Sequence, residues 1–485
     1  MMTELPDFLP AFPELFLICA ALGLLMVGVF RQEGKKSTTD VVGLWAVLAL
    51  IVTGFLVLVG ENAYIKTFSG MFIIDRFSVF MKILVLIATT LTLVMSLTWL
   101  RREQLSRFEF PVLILFSTVG MFMMVSANDL MAMYLGLELQ SLSLYVIATY
   151  HRDSSRSTEA GMKYFILGAL ASGFLLFGAS FVYGFTGQTG FDDLARSLAG
   201  VEKTSLGAII GVAFILFGLA FKVSAVPFHM WTPDVYEGAP TPATAFFALA
   251  PKMAAMALLV RVMTGPFMAM IEQWQQLVIV LAVASMILGA FAAINQTNIK
   301  RLMAYSSIGH IGYALIGLAV GNMIGVLGIV IYLAIYLVMN LGVFAMILSM
   351  RQKGRLVEGI DDLAGLAKTQ PVVAAALAAL MFSMAGIPPL AGFFGKLYVF
   401  IAAIEAQMYT LAVIGVLTSV VSAFYYLRII KIMYFDEPVE MFDKPLSRSV
   451  ILTLAASSVV VLFFFLYPPL LLIQAEAATA SLFPG

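Results

Sequence analysis

The sequence predicts an all-α integral membrane protein of about 14 transmembrane helices, built as two inverted-topology repeats with two discontinuous helices. Three observations carry this prediction. Of 485 residues, 61% are hydrophobic and 12% are charged, with a mean hydropathy of +1.00; soluble domains carry about a quarter charged residues. Apolar runs of spanning length recur along the whole chain. Prolines interrupt two apolar stretches, near 207–242 and 371–405.

A span needs about 20 apolar residues. Such runs cover residues 11–30, 41–60, 73–100, 109–126, 128–150, 160–186, 207–226, 241–265, 274–294, 300–320, 322–350, 371–405, 409–434 and 448–472. No linker sets off a soluble domain, so residues 1–485 read as one polytopic membrane domain. Residues 109–265 and 274–434 are the expected repeats, with 1–100 and 448–485 as peripheral helices. The N-terminus, Met1-Met2-Thr3-Glu4, is acidic and lacks the basic region and small-residue cleavage site of a signal peptide, so the first run is expected to stay as an anchor.

Loop charges orient the bundle. With the N-terminus outside, the inside loops hold 18 lysines and arginines, Lys35, Lys36 and Lys300 among them. The outside loops hold three, Lys66, Arg196 and Lys203. Cytoplasmic loops attract the positive excess, so both termini are expected outside. Arg76, Lys82, Arg261 and Glu405 lie nearer span ends and read as interfacial or structural.

Composition also excludes functions. The 28 basic and 28 acidic residues cancel, leaving no basic face for nucleic acid. A single cysteine, Cys19, rules out an internal disulfide framework, a cysteine-held iron–sulfur cluster and a zinc knuckle. The chain has no dinucleotide fingerprint and no P-loop.

The first interruption is Lys222-Val223-Ser224-Ala225-Val226-Pro227, continuing through Pro233; the second is Gly386-Ile387-Pro388-Pro389, followed by Lys396. Proline removes a backbone donor and clashes with the preceding turn. At membrane depth such a break survives where protein or a wet cavity satisfies the freed groups. Paired breaks in two halves point to inverted repeats around a transport site, although Lys222 precedes its proline and Lys396 follows its own.

Glu138, Lys222, Lys252, His310 and Lys396 fall inside apolar runs. A charge at the bilayer centre costs at least about 2.5–3.5 kcal/mol, so five of them read as a proton or ion path. Four of them have a plainer reading as well: a static ion pair for Glu138, snorkelling for Lys222 and Lys252, a hydrogen-bonded core group for His310. Ser306, Ser307 and Tyr313 are placed to supply hydroxyls to His310, the natural relay near neutral pH. Glu159 and Lys163, four apart, face each other on one helix, either as an entry-side relay or as a local salt bridge.

The stretches Leu135-Gly136-Leu137-Glu138-Leu139, Val226-Pro227-Phe228-His229-Met230-Trp231-Thr232-Pro233-Asp234, Lys300-Arg301-Leu302-Met303-Ala304-Tyr305-Ser306 and Ala385-Gly386-Ile387-Pro388-Pro389-Leu390 resemble the antiporter-like membrane subunits of respiratory complex I, NADH-quinone oxidoreductase. The resemblance covers nearly the whole chain and is nearest to the N-type branch: a lysine stands at 396, and about a dozen residues follow the last run. It implies a non-redox, proton-translocating subunit that couples NADH oxidation and quinone reduction, performed elsewhere in the complex, to proton transfer. Glu138 and Lys222 would be the coupled inner pair, Lys252 and His310 the central relay, Lys396 the outer terminal donor, and Glu159–Lys163 a pair near the next subunit. NADH, FMN, iron–sulfur clusters and quinone would belong to other subunits. Neighbouring antiporter-like and small membrane subunits and membrane lipids would be the partners, in the bacterial inner (plasma) membrane with both termini periplasmic. Three rival readings stay open on the residues: a subunit of a multi-subunit cation/proton antiporter, a stand-alone solute transporter, and an inert structural subunit.

Overall fold

The computed structural model describes residues 7–31, 37–60, 64–199, 205–444 and 446–483. Met1 to Glu4, Lys35, Lys36 and Lys203 lie outside the described residues. Among those described, twelve helices are long and apolar enough to cross a membrane, and two shorter apolar helices, Glu109–Val125 and Pro371–Ala385, join them. Every apolar run has its helix.

Helix ends follow local chemistry. Asp75 caps Arg76–Arg102 through a capping box with Ser78, and Asp129 caps Leu130–Ala148 by accepting from Met131 and Ala132. Asn298, Asn322 and Ser447 cap the helices that follow them. Gly187 and Gly321 end theirs in the left-handed conformation that glycine tolerates.

Three features depart from a simple reading of the runs. Two short antiparallel hairpins occur, Ile65–Thr67 with Phe72–Ile74 and Arg351–Gln352 with Arg355–Leu356. The helix in run 207–226 stops at Val223, and Ser224 takes φ +66°. Run 241–265 is also broken: Thr241–Ala248 ends at Leu249 (φ −118°, ψ −89°) and Ala250–Thr264 begins anew. Pro251, without an N–H, cannot continue the ladder from Thr241–Ala248.

The chain divides into two compact units, Met1–Val223 with Ala250–Trp274 and Gln474–Gly485, and Ser224–Leu249 with Gln275–Ile473. The first transitions between them fall at the breaks after Val223 and Leu249. In the first unit every residue of Ala250–Thr264 is buried. Ser37–Val59 instead exposes Trp45, Ile51 and Phe55, an apolar surface suited to lipid or another subunit.

Two buried ion pairs lie in the first unit. Arg261 donates to both Asp75 oxygens at 2.8 Å and to Val125 O at 3.1 Å. Lys82 Nζ lies 2.6 Å from Glu14 Oε1. Sequence reading left both cations as interfacial or structural; the structure buries them among helices, with their carboxylates supplied by distant segments.

Candidate functional sites in the two units

Lys222 lies one residue before the end of Leu206–Val223 and is 6% exposed. Its ammonium donates to Ser141 Oγ at 2.8 Å and sits 5.9 Å from the Tyr145 ring. Ser141 in turn donates to Leu137 O at 2.6 Å. Glu138 lies three residues before Ser141, on the same helix face. Its Oε1 is buried without a protein hydrogen-bond partner. Lys222 thus meets Ser141, one turn on from Glu138, rather than the Glu138 carboxylate. Gln140 Oε1 and Ser172 Oγ, on the helices Leu130–Ala148 and Ser155–Thr186, are likewise buried without protein partners. Buried polar atoms of this kind are satisfied by ordered water.

Lys252 occupies the first turn of Ala250–Thr264, three residues beyond the Leu249 break, and is 1% exposed. The break and the lysine therefore coincide, as in the two proline-interrupted segments. Glu159 and Lys163 form an i,i+4 pair at 2.8 Å on an exposed helix face. Exposed pairs of this type contribute about 0.3–0.5 kcal/mol.

In the second unit His310 is held at both ring nitrogens, Nδ1 to Tyr332 Oη at 2.6 Å and Nε2 to Tyr426 Oη at 3.1 Å. Tyr426 Oη meets Ser306 Oγ at 2.6 Å, and Ser307 Oγ meets Tyr336 Oη at 2.7 Å. The Ser306 hydroxyl thus reaches the histidine through Tyr426, whereas Ser307 meets Tyr336, whose ring centroid lies 5.2 Å from that of His310. Tyr313 stands edge-on to the His310 ring at 6.3 Å and carries the Lys396 ammonium 5.0 Å over its own ring.

Lys396 shows why the second break is useful. Pro371–Ala385 ends at Gly386 (φ +89°), and Ala391–Glu405 restarts after Pro388-Pro389. The last carbonyls of the first half-helix have no intrahelical donor left. Lys396 Nζ donates to two of them, Met384 O at 3.2 Å and Ala385 O at 3.0 Å, and to Ser419 Oγ at 2.8 Å. A cation at a helix C-terminus also meets the negative end of the helix dipole. Ser383 Oγ accepts from Gly392 N at 2.9 Å, tying the two halves together.

The segment between the first two breaks is anchored inside the second unit. Arg301 pairs with Asp234 at 2.8 Å and Glu237 at 2.9 Å, and Lys300 donates to Ala239 O at 3.0 Å. Val226 N donates to Ser285 Oγ at 2.9 Å. Among the described residues no group of His, Cys, Asp and Glu is placed to hold a metal ion.

Ser141, Tyr332, Tyr426 and Ser419 were not singled out by sequence. Spacing offers partial signals: Ser141 is i+3 from Glu138, and Tyr332 and Tyr336 share a face of Met323–Ile347.

Residues 127–422 match the family described as "NADH:quinone oxidoreductase/Mrp antiporter, TM". The chain is 59% identical over 482 residues to NADH-quinone oxidoreductase subunit N of Paramagnetospirillum magneticum, covering 99% of this chain and 98% of that protein. It is 62% identical over 438 residues to the protein of the same name from Rhodospirillum rubrum, covering 90% and 89%. A chain of respiratory complex I from Thermus thermophilus superposes with TM-score 0.82 at 31% identity, over 96% of this chain and 99% of that one. A chain of the Mrp complex from Dietzia sp. DQ12-45-1b superposes with TM-score 0.83 at 24% identity, over 97% of each, a likeness of fold alone.

Proposed function

Because the chain belongs to the NADH:quinone oxidoreductase/Mrp antiporter membrane-subunit family, we propose that Glu138, Lys222, Lys252, His310 and Lys396 carry its proton traffic. The chain is a proton-translocating, multi-pass membrane subunit of NADH-quinone oxidoreductase. It carries no redox step of its own in this reading; NADH, FMN, the iron–sulfur clusters and quinone sit on other subunits. Neighbouring antiporter-like and small membrane subunits pack beside it in the bacterial inner membrane. The 18-to-3 loop charge distribution supports an outer, periplasmic position for both termini. The broken helices support residues 109–265 and 274–434 as inverted repeats.

One observation carries the assignment. Lys222 and Lys396 are buried beside helix breaks, and the hydrogen bonds of both ammoniums go to neutral groups: Ser141 for one, two carbonyls and Ser419 for the other. A lysine so held can lose its proton without stranding a bonded carboxylate. In a direct buried ion pair the same loss leaves an uncompensated charge worth about 3–5 kcal/mol. Moving one charge against 100 mV requires about 2.3 kcal/mol, so changes at such sites are of adequate size. Glu138 sets the charge felt by Lys222, and His310, bonded on both sides, relays toward Lys396 by rearranging its tyrosine hydrogen bonds.

Lys222→Ala and Glu138→Ala tests this directly. Each variant is expected to yield an assembled complex with reduced quinone-linked proton pumping. Full pumping in either variant, with full assembly, removes that residue from the path. Sodium-dependent transport by the assembled complex would instead favour the cation/proton antiporter reading.

A further inference from the structure

The Glu14–Lys82 pair lies outside the set of residues assigned above. Both side chains are nearly sealed from solvent, at 5% and 3% exposure, and their nitrogen and oxygen lie 2.6 Å apart. The ammonium faces the rings of Phe72 at 5.1 Å and Phe122 at 5.5 Å. Among the described residues neither carboxylate oxygen has another donor. Asp75–Arg261, in the same unit, is the opposite case: two guanidinium contacts, a third from Arg261 to Val125 O, and the Ser78 amide on the carboxylate. A pair that well satisfied is a pin. A carboxylate with one partner in an apolar setting bears most of its desolvation cost.

Lys82 also heads a polar seam. Lys82, Thr89 and Ser96 recur every seven residues on Arg76–Arg102, with Thr92 and Trp99 beside them, all at most 6% exposed. Thr89 Oγ1, Thr92 Oγ1 and Trp99 Nε1 are buried without protein partners. From Lys82 to Trp99 the seam rises about 26 Å, close to the thickness of a hydrocarbon core.

We infer that the helices Phe12–Phe30 and Arg76–Arg102 carry a second proton-exchanging route, with Lys82 and Glu14 as its donor and acceptor and the Thr89–Ser96 hydroxyls lining it. The Lys82 N–H bond breaks and a Glu14 O–H bond forms, giving an amine and a carboxylic acid with no change in net charge. The acid then releases its proton to water and the amine takes one from water on the seam. Charged groups on the elements packed around these helices are Asp75 with Arg261, Asp40 with Arg101, Glu109, and Lys252 on Ala250–Thr264.

The test uses the assembled complex in proteoliposomes. Glu14→Gln and Lys82→Met should each lower the proton-to-electron ratio, and the Glu14→Met/Lys82→Met double variant should lower it no further, since the pair acts as one unit. Infrared difference spectra during turnover should show a carboxylic-acid band that Glu14→Gln loses and Glu138→Gln keeps. The double variant replaces the pair by apolar side chains, which a merely structural pair tolerates. A wild-type ratio in the assembled double variant, or an unchanged band in Glu14→Gln, overturns the route. Lys222→Ala is scored separately, so either reading can fail without the other.

Discussion

The surroundings of Lys222 and of Lys396 solve the same problem in opposite ways. On the helices flanking Lys222, Glu138 Oε1, Gln140 Oε1 and Ser172 Oγ are buried with no protein partner. Around His310 and Lys396, hydroxyls and ring nitrogens are bonded to one another and the freed Ala385 carbonyl accepts from Lys396. The first arrangement requires water to be complete; the second is closed by side chains. In the first unit, then, the number of waters present can gate proton movement. In the second, the proposed path would move a proton by rearranging hydrogen bonds already made.

The largest effect that could break this contrast lies at the second helix break. A side chain at Gly392 would place Cβ 1.9 Å from Ser383 O, and one at Gly386 would lie 3.0 Å from Lys396 Cδ at φ +89°. Overpacking of this kind costs about 1–3 kcal/mol. Gly392→Ala is expected to separate the half-helices and lower both complex yield and pumping, read by blue-native gel and proton flux. Normal yield and flux would show that the Lys396 cradle does not depend on the abutting helices.

A smaller effect sharpens the contrast itself. Ser306→Ala removes one of the two groups bonded to Tyr426 Oη, at 2.6 Å, and should destabilise by about 0.5–1.5 kcal/mol, the net worth of one hydrogen bond, since His310 Nε2 still meets the oxygen. Ser172→Ala removes a hydroxyl with no protein partner and should shift thermal unfolding of the purified complex much less. Equal shifts would erase the distinction between the units.

The smallest effect lies outside the membrane, where the Ile65–Thr67 strand meets the Phe191–Ala199 helix. Burial alone would raise the Asp192 carboxyl, but hydrogen bonds from Lys66 and Asn128 outweigh it and hold it below the usual range. Burial likewise opposes the Lys66 charge, and Asp192 outweighs that to raise Lys66. A depressed carboxylate contributes stability that is present above its unfolded value, about pH 3.9, and lost as pH falls through the folded value. A raised lysine contributes below its unfolded value, about pH 10.4, and loses it as pH rises through the folded value. Asp192→Asn should therefore flatten both limbs of the hairpin's hydrogen-exchange protection against pH, modestly, because the pair is largely exposed.

The membrane fold, its helices and the five ionisable positions were legible because charge and proline are conspicuous in apolar runs. The partners were not. Ser141, Tyr332, Tyr426 and Ser419 are uncharged, common in such runs, and meet the charged residues across 81, 22, 116 and 23 positions of sequence. Glu14–Lys82 shows the same limit: each residue alone reads as a helix-end charge, and pairing across the fold makes it a buried site. The Leu249 break left a trace in Pro251, the residue before Lys252.

The contrast between the units is tested most directly by locating ordered water in a high-resolution map of the assembled complex. The account predicts water bonded to Glu138 Oε1 and Gln140 Oε1 in the first unit, and direct His310–Tyr332 and His310–Tyr426 contacts without intervening water in the second. A dry Glu138, or water separating His310 from its tyrosines, would contradict it.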